Sequence, residues 1–74
     1  MLTAQTIELF DVVALTNDLP AENLPRGQVG TVVERLGDGS FEVEFSDDQG
    51  RTYAQAALPA DRLIVLRYKP NRTA

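Results

Sequence analysis

Glu42 and Glu44 alternate with Phe41, Val43 and Phe45, and Asp47-Asp48 follow after Ser46. Carboxylates this close could share a proton transfer or hold a hard cation through oxygen ligands. Proton transfer needs two acids whose surroundings drive their pKa values apart, one buried and one solvated. Glutamates alternating along one strand face are solvated alike, so the pair reads as an exposed face. A cation at Glu44, Asp47 and Asp48 would lack the spaced ligands and closing glutamate of a calcium loop. That segment reads as a turn in water. Ser40 and Ser46 stand beside turns with no base in view, and the chain has no cysteine and no histidine. Thiol nucleophiles, thiolate metal sites and the commonest acid–base group at neutral pH are thereby excluded. Gly27 and Gly30 form no phosphate loop, because neither Lys-Ser/Thr nor a third glycine follows them. The expectation is a non-enzymatic protein with no catalytic, cofactor or metal residues.

Charge narrows the partners. Eleven acids against seven cations give a net charge of −4. Residues 67–74 hold Arg67, Lys69 and Arg72 and no acid, so residues 1–66 carry −7. A nucleic-acid binder clusters Lys and Arg against phosphates, and this body does the opposite. Arg26, Arg35, Arg62, Arg67 and Lys69 could still gather on one side, but only Tyr53 and Tyr68 are at hand to stack on bases. An acidic surface serves solubility; it would also attract a basic partner.

At 74 residues there is room for one domain. A chain of this size buries only about 60% of its unfolded surface, so self-association or docking would add useful burial. No stretch reaches the roughly 18 apolar residues that span a membrane. Met1–Phe10 carries no cation and includes Glu8, unlike a signal peptide. With no cysteine, the expected location is the cytoplasm.

The elements that would position these residues read as short strands. Residues 1–8 are a lead-in, 9–66 a folded domain and 67–74 a basic, flexible tail. Leu9–Leu15 is a first strand with imperfect alternation: Leu9, Val13 and Leu15 share one face with Asp11, and Phe10, Val12 and Ala14 make the other face apolar too, so both want cover. Thr16–Gly27 is a long loop punctuated by Pro20 and Pro25, in which Leu19 and Leu24 are spaced to fold back over one end of the domain. Gln28–Leu36 is the second strand, where Gly30 signals a bend or the close approach of another backbone. Gly37-Asp38-Gly39-Ser40 is a tight hairpin. Phe41–Phe45 alternates strictly, which sends Phe41, Val43 and Phe45 inward and Glu42 and Glu44 to solvent. Asp47-Asp48-Gln49-Gly50 turns into Arg51–Leu58, a weaker strand rich in alanine. Leu58–Arg62 reads as one 3₁₀ turn, and Leu63–Leu66 closes the fold with two apolar faces.

Five strands in this order, with a long loop after the first and a 3₁₀ turn before the last, resemble a small all-β SH3-like barrel. The arrangement is similar to the KOW-type barrels of ribosomal and transcription proteins. It is also similar to the barrels of the nitrile hydratase β chain and of small photosynthetic accessory subunits. The motifs themselves most resemble an uncharacterised bacterial family of short stand-alone chains, the domain of unknown function numbered four-nine-two-six. Its "LFDVVAL", "DLP", "RGQVGTVVE", "YEVEF", "GRT" and "LPADQL" are matched at Leu9–Leu15, Asp18-Leu19-Pro20, Arg26–Glu34, Phe41–Phe45, Gly50-Arg51-Thr52 and Leu58–Leu63. Phe41 replaces Tyr and Arg62 replaces Gln. The resemblance implies a fold and supplies no site residues.

A protein–protein interaction or accessory module is therefore the expected function, its partner unknown and conceivably a second copy. A KOW-like nucleic-acid barrel and an acidic antitoxin or immunity partner of a basic protein are the alternatives. Loop 16–27 with Asp18, Arg26 and Gly27 is the expected recognition surface, by analogy with SH3-like barrels. Phe10 and Val12, with Ala14, Ile64 and Leu66 or Val65, form a second candidate patch.

Overall fold

The computed structural model describes residues 6–68 and 70. Residues 1–5 of the expected lead-in, and Lys69 and 71–74, which make up most of the expected tail, lie outside them. Five antiparallel strands form one sheet: β1 Val12–Leu15, β2 Val29–Arg35, β3 Ser40–Ser46, β4 Thr52–Pro59 and β5 Leu63–Val65, in the order β4-β3-β2-β1-β5. The fold is all-β and barrel-like, as expected from the alternation and the turn residues.

Its core grows from β3. Val43 and Phe45 are fully buried, and Phe41 is half-buried against them. Glu42 and Glu44 are half-buried rather than open to solvent, because each stands in a sheet row between neighbours, Glu34 and Ala57 for Glu42, Thr31 and Gln55 for Glu44. Val13 pairs with Gly30 on one side and Val65 on the other, which turns that row inward. A Cβ on Gly30 would lie 2.7 Å from Val43 Cγ1 and 2.9 Å from Phe45 Cδ1. The close approach implied by a glycine inside a strand is therefore real: Phe45 occupies the space that the missing methyl leaves.

The hairpins form as their residues dictate. Gly39 adopts φ 87°, and Leu36 N–H bonds Ser40 O at 2.9 Å. Gly50 adopts φ 82° at the second turn, where the Asp47 carboxylate accepts the N–H groups of Gln49 and Arg51, both at 2.9 Å.

Two segments differ from expectation. The first strand is shorter than Leu9–Leu15, because residues 8–11 close a turn. Asp11 N–H bonds Glu8 O at 3.1 Å, and Glu8 N–H bonds the Asp11 carboxylate at 2.9 Å. A local side-chain bond of this kind competes with the strand ladder. It takes Leu9 off the face of Val13 and Leu15 and leaves it exposed, while Ile7 takes a place in the core. The loop, in turn, holds a 3₁₀ turn at Pro20–Glu22 with proline at its start, where a missing N–H costs nothing. Leu19 and Leu24 exchange backbone bonds of 2.7 and 3.1 Å across its base. Leu24 is buried and Leu19 packs on the core, which is the fold-back their spacing implies. The 3₁₀ turn Ala60–Arg62 connects β4 to β5.

Candidate functional site

The loop is pinned at both ends. Asp18 Oδ1 accepts the Arg26 backbone N–H at 2.7 Å. Gly27, at φ 90°, donates to Leu15 O at 2.8 Å, and Thr16 N–H reaches Arg62 O at 3.0 Å. Asp18, Arg26 and Gly27 thus come together at the C-terminal end of β1. Phe10 and Val12 lie at its other end: Phe10 N–H bonds Val32 O at 2.7 Å, and Val12 pairs with Thr31. The sequence candidates therefore form two separate surfaces.

Between the loop and β4 runs a groove of about 540 Å³. One wall is Asp18 to Glu22; the other includes Gln55, Ala56, Ala57 and Leu58. Successive strand residues point to opposite faces of a sheet. Ala56 and Leu58 lie on the core side of β4, whereas Gln55 and Ala57 share the other face with Glu42 of β3, so the groove meets both sides of β4 and wraps its edge. Three acidic residues, Asp18, Glu22 and Glu42, line this groove against one cation, Arg62. The site is small, open and acidic.

Residues 9–65 match the family described as Domain of unknown function (DUF4926). The chain belongs to this family. The match takes in all five strands, the loop and both walls of the groove. Neither the curated proteins nor the solved structures contain a match to this DUF4926 chain.

Another depression on the DUF4926 domain, of about 490 Å³, is lined by Ala14, Leu15, Thr16, Arg26, Gly27 and Ile64. Register explains its apolar floor: Ala14 pairs with Ile64 on one side and Val29 on the other, so the three share the outer face. Val29 and Ile64 are 45% and 50% exposed. Phe10 is exposed at the far end of β1.

The remaining chemistry-bearing groups are spoken for or dispersed. The Asp47 carboxyl is held below its usual range chiefly by the backbone N–H of Arg51, with the Gln49 N–H and the Arg51 side chain assisting against partial desolvation. Arg51 Nε sits 3.4 Å from the same carboxylate. Among the described residues, Glu44, Asp47 and Asp48 do not gather into a cation-holding cluster. Arg26 precedes β2 and Arg35 ends it, so these two do not form one basic patch. Sequence reasoning missed β4 as a wall of the site and Val29 as part of the outer row. The available signal was the lack of any charge from Thr52 to Leu58.

Proposed function

We propose that this chain is a non-enzymatic, cytoplasmic protein-interaction module whose groove between loop 16–27 and β4 takes a basic segment of a partner protein. The observation that carries this is the excess of carboxylates along the groove, Asp18, Glu22 and Glu42 against Arg62. The net charge of the body strengthens it, since a field of one sign steers an oppositely charged partner toward the surface. Charge of this sign repels phosphates, which sets the protein reading ahead of the nucleic-acid one. Among the described residues no helix is long and apolar enough to cross a membrane, and a chain without cysteine suits a reducing compartment.

Fluorescence anisotropy tests the reading with a labelled lysine-rich octapeptide and a labelled single-stranded DNA of similar length. The peptide is expected to bind and to weaken as salt is added. Glu22→Gln and Glu42→Gln should each weaken it by up to about fivefold, the range of a rim charge pair. Binding of the DNA but not of the peptide would overturn the proposal.

A further inference from the structure

The groove runs along a strand edge, and that edge is open. β4 ends the sheet order, paired with β3 alone. Among the described residues, no backbone group of Thr52–Pro59 bonds to anything beyond β3. Unpaired edges invite another strand, so natural sheets blunt them with lysine, proline, bulges or a covering segment. Here those devices are confined to the strand's ends. The register shift with β3 falls between Phe45 and Ser46, before Ala54, and the proline is the last residue, Pro59. From Ala54 to Leu58 the strand pairs without interruption, carries no charge and presents alanine at three of its five positions. Methyl side chains leave the backbone N–H and C=O groups within reach of an incoming chain. The loop stands across a groove from this edge and does not close it.

We infer that β4 receives a sixth strand: a basic, extended segment of a partner protein that pairs with its backbone, as other sheet-edge modules capture peptides. The inference rests on the reading of the groove as a site for a basic segment and adds how that segment is held. Charge selects the occupant. A second copy would bring the same Asp18, Glu22 and Glu42 and a like net charge of −4 to the contact. A lysine- or arginine-bearing strand meets them with the opposite sign. Register supplies the geometry, because Ala57 pairs with Glu42. A residue placed opposite Ala57 shares the sheet face of both, and a long cation there extends toward the Glu42 carboxylate. Backbone pairing gives affinity without demanding a particular sequence, and the alternate side chains supply selectivity.

The test uses the full chain with a fluorescein-labelled octapeptide of alternating lysine and valine, and its counterpart N-methylated at every residue. Methylation keeps the side chains and their charge but removes every backbone donor. The unmodified peptide should bind at least tenfold more tightly than the methylated one. It should also slow hydrogen exchange of amides within residues 54–58 at least tenfold. Ala57→Lys should weaken binding at least fivefold, and Gly37→Lys, which adds the same charge at an open turn position outside the groove, should not. Equal affinity of the two peptides would overturn strand pairing while leaving the acidic groove as the docking site. Failure of both peptides to bind would overturn the groove reading and this inference with it. A chain that sediments as a dimer with residues 54–58 already protected would assign the edge to a second copy and overturn the inference.

Discussion

The Asp18 carboxylate accepts the backbone N–H of Arg26 at 2.7 Å, across eight residues of chain. This bond ties the start of the loop to its end and holds the wall that faces β4. The same side chain thus has a structural duty and a place in the candidate groove. Replacement separates the two. Asp18→Ala should lower stability by about 1 kcal/mol, the net worth of one hydrogen bond, in urea denaturation. Asp18→Asn keeps an acceptor and should recover most of that loss while still weakening a basic peptide.

Gly30 is the position where a single methyl group should do the most damage. Its added Cβ would meet Val43 Cγ1 at 2.7 Å, Phe45 Cδ1 at 2.9 Å and Glu44 O at 3.0 Å. The last of these is backbone and cannot swing aside. Gly30→Ala should cost about 1–3 kcal/mol, the usual range for overpacking a core. Gly37→Ala meets nothing within 4 Å, and its denaturation midpoint should match the parent or lie slightly above it.

Phe10 combines two unfavourable features, φ of 70° and 68% exposure. A bulky residue in the left-handed region is strained by roughly 1–3 kcal/mol. Asparagine adopts that conformation more easily. Phe10→Asn should therefore leave stability unchanged or raise it by about 1 kcal/mol, as read by thermal melting. A clear loss would show that the ring is needed for folding.

Asp47 supplies the pH dependence. Its carboxyl is lowered from 3.8, first by the Arg51 N–H, so its charged form is favoured in the folded chain. The stability it contributes is complete above the unfolded value of 3.8 and is lost as pH falls through the lower folded value. A carbon-13 titration should place the Asp47 midpoint below 3.8. Asp47→Asn should flatten the acid limb of the stability curve below that pH.

Ile64 and Val65 are neighbours on opposite faces of β5, 50% and 8% exposed. Val65→Ala should cost about 1–2 kcal/mol through lost burial. Ile64→Ala should cost less than half as much in the same denaturation series. Equal losses would mean that the outer row is covered.

Much of this was readable in the residues themselves. Phe41, Val43 and Phe45 alternate with glutamates, and an alternation of period two can satisfy only a half-buried strand. Gly39 and Gly50 supply the positive φ of their turns, while Asp38 keeps an ordinary negative φ. Gly30 signalled a bend or a close approach, and the Val43 and Phe45 side chains and the Glu44 carbonyl crowd it. Leu19 and Leu24 were spaced to meet. Each is a local rule, satisfied within a few residues of chain.

The turn at residues 8–11 and the short helix-like turn at Pro20 escaped notice because each is closed by only a pair of local hydrogen bonds, which compete closely with extended structure. Asp11 reads equally well as a strand residue until its carboxylate is seen to accept the Glu8 N–H.

On its own, then, the order of residues determined the strands, their turns, the acidic character of the body and the lack of thiol or imidazole chemistry. Only the tertiary structure decided that β4 lies at an edge, that its uncharged stretch faces the Asp18–Glu22 wall, and that Val29, Ala14 and Ile64 share a row. Those facts depend on pairing between segments far apart in the chain. Pairing is settled by which packing buries Phe45 over Gly30, and no local pattern encodes that choice.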